Sequence, residues 1–310
     1  MSFASFVRTQ KRDSHGNIIL GPDGRPIEGL GINPIKPHVR GYWLADPNQA
    51  TITLAASGGL NQAGRAGELN FLIDSQGHFD WSSIVGVSTG VFLLEFFDPS
   101  TNRLLQNAPV HSSNIVGVAA RQFRLPEPYF FNVGDSQRQL KCKLRDLSGS
   151  SNTVRLNLIG RRIYHKEAPP DVALDLQKIF GMGSRTYTYF LSPKETLNTG
   201  VVTPVALNGT ASFTFESDAS ADTELQKLMV ASTGAFSFTI RERATNRLLM
   251  PINGNIHSQN GWGNAEFPYI FPDTFLLERQ KQLIVDVTDL SGAENYIYLT
   301  MAGRRLQLIP

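Results

Sequence analysis

The sequence contains a single cysteine, Cys142, among 310 residues. A lone cysteine excludes an internal disulfide framework and any zinc site built from cysteines, and it favours folding in a reducing cytoplasm. Cys142 lies in an alternating apolar stretch and aligns with Val285 in the second half of the chain. We therefore predict that Cys142 is a small core residue and not a nucleophile.

Long apolar runs and a strong net charge are also missing. No stretch approaches the roughly 20 apolar residues of a membrane helix, and the first residues, MSFASFVRTQKRD, contain no apolar signal-peptide segment. The formal net charge is +2, which provides no electrostatic drive toward nucleic acid. We expect neither a membrane nor a nucleic acid among the partners.

Recognisable catalytic and cofactor motifs are scarce. The six histidines form no HxxxH or HExxH pair, there is neither a GxSxG elbow nor a P-loop, and GMGS at 181–184 is too short to cradle a phosphate. The acidic stretch DASADTE contains Asp218, Asp222 and Glu224, but not at the spacing of a known calcium loop. A solvated loop is favoured there, with calcium binding as the alternative. We predict a protein that is not an enzyme and binds no cofactor.

The sequence does contain a duplication. RDLSGSSNTVRLNLIGRRI at 145–163 and TDLSGAENYIYLTMAGRRL at 288–306 agree at nine of nineteen positions. Shorter matches upstream, in chain order, are YWLADP with YFLSP, Ser88-Thr89-Gly90 with 232–234, TNRLL at 101–105 with 245–249, and Pro128-Tyr129 with Pro268-Tyr269. The repeat predicts four parts: an arm at 1–37, a first copy at 38–164, a linker at 165–182 and a second copy at 183–310.

Each copy shows the period-two alternation of half-buried antiparallel strands. Phe236, Phe238 and Ile240 alternate with polar neighbours, and similar short runs are separated by Gly, Asn, Asp and Pro. We predict an all-β protein with two tandem β-sandwiches of jelly-roll or immunoglobulin-like type.

The DLSG stretch then becomes the loop of a hairpin in both copies. Asp146 and Asp289 are placed to accept hydrogen bonds from the backbone, and Gly149 and Gly292 to adopt positive φ. We predict that these four residues define a turn of the fold.

The segments outside the two copies suggest contacts with other molecules. APPDVALDLQKIFGMGS at 168–184 has the apolar stripe of a helix, which predicts a short helical linker docked on a sandwich or packed on a neighbouring subunit. The arm is too polar to bury its own core, and a ribbon is predicted at 17–20 and 25–27. We favour an arm that clasps a partner over disorder. The arm residues that are candidates for an interface are Arg8, Lys11, Arg12, Ile18 and Ile19.

Two further motifs are retained in both copies. HSSN and HSQN begin at His111 and His257, which we interpret as loop residues that hydrogen-bond the backbone. Gly160 and Gly303, each at the end of a strand, permit a bulge or a close approach. They precede two pairs of arginines that are predicted to be solvated rim charges, with ion pairs to an adjacent subunit as the alternative and phosphate contacts third: Arg161, Arg162, Arg304 and Arg305.

Trp262 has no tryptophan counterpart in the first copy. Together with Asn264 and Tyr269 it could form a sugar-stacking platform, which makes a carbohydrate-binding module the alternative function. An aromatic residue buried under a loop, or an anchor in a protein interface, is the favoured interpretation. A glycoside-processing enzyme would require two facing carboxylates, which sequence spacing does not reveal.

The segments LPEPYFF…LKCKLRDLSGSSNTVRLNLIGRRI and FPYIFP…LIVDVTDLSGAENYIYLTMAGRRL resemble segments of structural proteins of tailed-bacteriophage virions. The resemblance covers the second half of each copy. It implies a capsid, decoration or head–tail connector component that assembles in the bacterial cytoplasm and remains in the virion. The partners it implies are further copies of the chain and other virion proteins, such as major capsid or portal and neck proteins.

Overall fold

A computed structural model describes residues 4–10, 28–34, 39–74, 77–131, 138–163, 186–197, 200–249 and 254–307 of the chain. The regular secondary structure of the described residues is almost entirely antiparallel strand, as the period-two alternation predicts. Within them, no helix is long and apolar enough to cross a membrane.

The first sandwich consists of two sheets and one short helix. One sheet has the order β10-β6-β12-β3, with β4 also paired to β12; its strands are β3 Val39–Leu44, β4 Ile52–Leu54, β6 His78–Ser88, β10 Phe123–Phe131 and β12 Asn152–Ile163. The other has the order β5-β11-β7-β8, with β9 also paired to β7; its strands are β5 Ala66–Ile73, β7 Phe92–Asp98, β8 Arg103–Leu104, β9 Val110–His111 and β11 Arg138–Asp146. Helix α1 is Ser112–Ile115.

The second sandwich repeats this arrangement. Its first sheet has the order β13-β20-β15-β18, with β13 Thr186–Leu191, β15 Ala221–Ser232, β18 Tyr269–Leu277 and β20 Ile297–Gln307. Its second has the order β14-β19-β16-β17, with β14 Thr210–Glu216, β16 Phe236–Glu242, β17 Ile256–His257 and β19 Gln282–Asp289. Helix α2 is Ser258–Gly261, and a 3₁₀ turn spans Lys194–Thr196.

The strand pairing identifies both sandwiches as jelly rolls. In the first, strand pairs are nested along the chain: β3 pairs with β12, β5 with β11, β6 with β10, and β7 with β9. The second repeats the nesting as β13 with β20, β14 with β19, β15 with β18, and β16 with β17. A hairpin rolled up in this way is the jelly roll, so the immunoglobulin-like alternative does not apply.

The arm contains a ribbon, at a position different from the predicted one. β1 Ala4–Gln10 pairs antiparallel with β2 Glu28–Pro34, and Arg8 of β1 lies opposite Leu30. The predicted ribbon at 17–20 and 25–27 falls outside the described residues, as do Lys11, Arg12, Ile18 and Ile19. The predicted linker helix at 168–184 also lies outside them.

The apolar residues of the alternating runs form one core that continues through both sandwiches. The largest fully buried side chains include Trp81, Phe96, Phe131, Phe215 and Phe236. Cys142 is fully buried beside Phe96 of β7 and Leu69 of β5, and Val285 is fully buried at the matching position of the second sandwich. Burial raises the pKa of the Cys142 thiol well above its usual value, so the thiol stays protonated. The prediction of a core cysteine is confirmed.

We expect Cys142→Val to change the free energy of unfolding by less than about 1 kcal/mol, because valine already fills the equivalent site. Cys142→Ser, of nearly the same size, should cost about 1–3 kcal/mol because it buries a hydroxyl without a partner. Urea unfolding of the two variants measures this difference. Equal losses in both variants would contradict the assignment of Cys142 as a purely apolar core residue.

The two loop glycines have positive φ, as predicted, at +75° for Gly149 and +73° for Gly292. A Cβ on Gly149 would also lie 3.0 Å from the backbone nitrogen of Leu60, whereas a Cβ on Gly292 would meet nothing within 4 Å. Gly292→Ala should therefore lower the free energy of unfolding by only about 1–2 kcal/mol, which is the energy that alanine requires to adopt the left-handed conformation. Gly149→Ala should cost more, and thermal unfolding of both variants provides the comparison. A smaller loss at position 149 would contradict the close approach to Leu60.

Candidate functional site

The DLSG loops are held by buried aspartates. Asp146 accepts hydrogen bonds from the backbone nitrogens of Ser57 (3.2 Å) and Gly149 (3.1 Å) and from the Ser148 hydroxyl (2.7 Å). Burial opposes ionisation of Asp146, but the hydrogen bonds from Ser148 and Ser57 outweigh it and lower the pKa. The carboxylate therefore connects its own hairpin to the 57–60 segment, and the prediction of a fold-defining turn is confirmed.

Asp289 has the same role in the second sandwich. One of its carboxylate oxygens accepts from Ser291 and from the Asn295 amide (3.0 Å), and the other accepts from the backbone nitrogen of Asn208 (3.1 Å). Burial raises the pKa of Asp289, but these donors together lower it to about 2. The carboxylate is saturated by donors within the fold.

The glycines before the arginine pairs permit a bulge, as predicted, but they lie within β12 and β20 and not at the ends of strands. Strand β6 has one extra residue, Ser82, opposite the Ile159–Gly160 step of β12, and β15 has Gln226 opposite the matching step of β20. A Cβ on Gly160 would lie 2.1 Å from the carbonyl oxygen of Asp80, and one on Gly303 would lie 2.0 Å from that of Glu224. Only glycine fits at either position.

The first arginine of each pair binds an acid on the neighbouring strand. Arg161 donates from Nε (3.1 Å) and Nη2 (2.5 Å) to Asp80, and Arg304 donates from Nε (2.9 Å) and Nη2 (2.5 Å) to Glu224. Arg304 also places Nη1 3.6 Å from the carboxylate of Glu127, which belongs to the first sandwich. The two acids stand at matching positions of the repeat, which is the sequence signal that would have predicted these pairs.

The second arginine of each pair stacks on a tyrosine and pairs with a loop aspartate. Arg162 lies 5.0 Å from the ring centre of Tyr42 and forms an ion pair with Asp74. Arg305 lies 4.7 Å from the ring centre of Tyr189 and 3.0 Å from Asp218. Arg162 is only 4% exposed, so its prediction as a solvated rim charge is wrong. The arginine pairs serve ion pairs within the chain.

The two histidines hydrogen-bond the backbone, as predicted, but they end the short strands β9 and β17 and cap the helices that follow. Nδ1 of His111 accepts a hydrogen bond from the backbone nitrogen of Ser113 (3.2 Å), and Nδ1 of His257 accepts from that of Gln259 (3.3 Å). Burial lowers the pKa of His111 to about 4, so its ring is neutral near pH 7. The ring packs at a tilt against that of Tyr298, with the ring centres 4.7 Å apart.

Trp262 is a buried residue of the second sandwich. It is 5% exposed and meets the Phe238 ring edge-on at 5.6 Å, directly after helix α2. The favoured burial under a loop is confirmed, whereas the interface anchor and the sugar-stacking platform are both wrong. The sequence could not distinguish these cases because a tryptophan between glycines suits an exposed loop as well as a core.

The acids of DASADTE point to separate partners. Asp218 binds Ser220 and Arg305, Asp222 accepts from the backbone nitrogen of Arg279 (2.8 Å), and Glu224 holds Arg304. Over the part of the chain that the structure describes, no group of three His, Cys, Asp or Glu side chains is placed to hold a metal ion.

The strand register corrects one match of the repeat. Tyr129 lies opposite Trp81, and Phe275 lies opposite Leu225, the residue that corresponds to Trp81. Tyr129 therefore corresponds to Phe275, and Tyr269 corresponds to Phe123. The match between Pro128-Tyr129 and Pro268-Tyr269 is wrong, because a short sequence identity cannot fix the register of a strand interrupted by a bulge.

Sequence reasoning did not predict the packing of one sandwich on the other. The outer face of the second sandwich, which we define as Thr188, Phe190, Tyr298, Thr300 and Arg304 on β13 and β20, covers a surface of the first. We call that surface the socket. It is formed by Leu105, Asn107, Asn114, Phe123 and Glu127.

Phe190 is the centre of this packing. Its side chain is fully buried, and its ring centre lies 5.9 Å from that of Phe123. Its backbone nitrogen donates to Leu105 (2.8 Å), and its carbonyl accepts from Asn107 (3.3 Å). The side chain of Asn107 exchanges two hydrogen bonds of 2.7 Å with the backbone of Ser192. The backbone hydrogen bonds of Phe190 therefore fix the position of its side chain in the contact.

Polar groups complete the contact. The Asn114 amide, fully buried, donates to the Tyr298 carbonyl and the Thr300 hydroxyl, both at 2.9 Å. Thr188 exchanges hydrogen bonds with the backbone of Glu127. Lys227 donates to the Arg124 carbonyl (2.5 Å), and burial followed by repulsion from Arg124 lowers the pKa of Lys227 to about 8.

No known protein family and no curated protein matches the sequence. Among solved structures, the chain is similar to PNGF-II at 9% identity and a TM-score of 0.36, over 87% of this chain and 66% of that one. PNGase F, a glycosylasparaginase from Flavobacterium meningosepticum, is similar at 10% identity and 0.36, over 84% and 97%. A triple jelly-roll protein of an archaeal virus turret follows at 8% and 0.24, over 87% and 59%. At TM-scores below 0.5, these likenesses carry no argument about function.

Asp289 gives the fold an acid-sensitive element. Because its pKa is lower in the folded state, its ionised form stabilises the fold above about pH 4, the unfolded value, and that stabilisation is lost as the pH falls through about 2. Asp289→Asn should cost about 1–3 kcal/mol at pH 7, because its amide hydrogens would face donors. The variant should also lose less stability than the parent below pH 4.

Urea unfolding at pH 7, 4 and 2.5 tests both parts, and the control is Glu294→Gln, which removes an exposed charge from the same loop. An equally steep loss of stability below pH 4 in Asp289→Asn and the parent would contradict the role given to Asp289.

Proposed function

We propose that this chain is a non-enzymatic structural protein of a tailed-bacteriophage virion, which acts by forming contacts with copies of itself and with other virion proteins. The polar groups retained in both copies support this proposal. The aspartates, histidines and arginines form hydrogen bonds and ion pairs within their own sandwich or with the other sandwich. The capsid shell and the neck are both compatible with a pair of jelly rolls.

The observation that carries the proposal is the exposure of apolar side chains on sheet faces that lack a covering layer. Trp43 of β3 is 67% exposed and Val87 of β6 is 73% exposed, on two strands of one sheet of the first sandwich that are separated by β12. On the edge strand β18 of the second sandwich, Ile270 is 64% exposed. Large exposed apolar side chains gathered on sheet surfaces and edges are typical of surfaces that bind other proteins.

The arm extends the same function. A ribbon of β1 and β2 precedes the first sandwich and lies outside the repeat. A segment of this kind supports contacts between subunits, as in the clasp predicted from the sequence. The virion would then hold the chain by sheet surfaces and by its arm.

We expect the protein to band with virions when particles from cells that express the phage genes are purified on a density gradient. Antibodies against the purified chain, used for immunogold electron microscopy, should label a fixed part of each particle. A host cytoplasmic enzyme followed through the same gradient serves as the control for trapped protein. Recovery of the chain only in the soluble fractions, with unlabelled particles, would contradict the proposed function.

A further inference from the structure

The contact between the two sandwiches joins two different surfaces. The outer face of the second sandwich meets the socket of the first, so the contact is heterologous and not two-fold. Because the sandwiches are copies, each carries both kinds of surface. One outer face and one socket are used inside the chain, which leaves one of each for another molecule.

The unused outer face lies on the first sandwich. Strand register matches Tyr42 to Tyr189, since they lie opposite Gly160 and Gly303, and therefore matches Trp43 to Phe190. Phe190 is fully buried against the socket, whereas Trp43 is 67% exposed. The same register matches the buried Tyr298 and Thr300 to Arg155, which is exposed, and Asn157, which is half-buried. We call Gly41, Trp43, Arg155, Asn157 and Arg161 the open outer face.

The unused socket lies on the second sandwich. Asn114, fully buried, corresponds to Asn260, which is exposed, because both are the fourth residue of the capped motif. Phe123, 1% exposed, corresponds to Tyr269, which is half-buried. Leu105 corresponds to Leu249, and Glu127 to the exposed Asp273. We call Leu249, Asn260, Tyr269 and Asp273 the open socket.

The aromatic contact and the ion pair have counterparts in the two open surfaces, whereas Gly41 lacks the hydroxyl of the corresponding Thr188. An aromatic residue, Trp43, takes the place of Phe190, and another, Tyr269, takes the place of its neighbour Phe123. Arg161 binds Asp80 as Arg304 binds Glu224, through Nε and Nη2. In Arg304 this leaves Nη1 to reach Glu127 at 3.6 Å. Arg161 and the acid Asp273 are the corresponding pair.

We infer that the open outer face of one chain docks in the open socket of a second copy, so that the contact within each chain is repeated between chains. Trp43 enters beside Tyr269 and Leu249, Arg161 faces Asp273, and Asn260 bonds the strand that carries Arg155 and Asn157. Such head-to-tail contacts form a ring when the rotation closes and a filament when it does not. This inference deepens the proposed function by naming the partner and the surfaces for its self-contacts.

Two variants test the open outer face and the open socket separately. Trp43→Asp removes the aromatic side chain of the open outer face, and Asn260→Arg fills the open socket and adds a positive charge near Arg155 and Arg161. Each should weaken self-association at least about tenfold, as expected at the centre of an interface. Leu290→Asp, which changes another half-exposed apolar residue outside both surfaces, is the matched control and should associate like the parent. Thermal melting of all three verifies that they are folded.

Sedimentation velocity over about a hundredfold range of concentration measures the association, which follows mass action. The parent should form species larger than a dimer, and each variant alone should stay monomeric. An equimolar mixture of the two variants should form a dimer and no larger species. The Asn260→Arg variant keeps an intact open outer face and the Trp43→Asp variant keeps an intact open socket, so only one contact can form.

Three outcomes would overturn the inference. These are a parent that is monomeric throughout, a mixture that stays monomeric, or an Asn260→Arg variant that dimerises by itself, as an isologous contact through Trp43 would produce. Immunogold labelling of particles distinguishes this failure from failure of the proposed function. If one of the three outcomes occurs and particles still incorporate the parent and both variants equally, the virion assignment is retained while the head-to-tail contact is rejected.

Discussion

The register of each jelly roll depends on a close approach between two backbones. At Gly160 and Gly303 the central strand passes so near the carbonyl of the neighbouring strand that a single methyl group would collide with it. The approach accommodates one extra residue in β6 and in β15, and a shift of one residue in a strand reverses which side chains face the core. The glycine therefore determines which residues of the sheet are buried.

The same approach organises the charges around it. Past the bulge, Asp80 and Glu224 lie opposite the first arginine of each pair. The second arginine of each pair lies over a tyrosine ring of β3 in the first sandwich and of β13 in the second. In the second sandwich this geometry also presents Arg304 to Glu127 across the domain contact. One backbone feature thus fixes the strand register, two ion pairs per copy and part of the contact between copies.

Features governed by neighbouring residues could be predicted from the sequence. Alternation revealed the strands, and the spacing of Asp146 and Gly149 revealed the hairpin loop, because both depend on local backbone geometry. Burial that depends on distant segments could not be predicted. Tyr298 and Thr300 stand at outward positions of their strand, where alternation predicts solvent, yet the first sandwich covers them. Trp262 was ambiguous for the same reason, since only the fold decides what covers it.

The nested strand pairing has a consequence for how the chain folds during synthesis. In the first sandwich Gly41 pairs with Arg161, 120 residues later (161 − 41 = 120), so β3 must wait for nearly the whole domain to leave the ribosome. Pairings this distant in sequence make folding slow, because loop closure must precede the contacts that stabilise it. The second sandwich meets a different situation: the first is complete when β13 emerges, and its socket offers Phe190 a docking place before β20 exists. We therefore expect the first copy to provide the surface on which β13 docks, so that the order of synthesis favours the observed contact between the two copies.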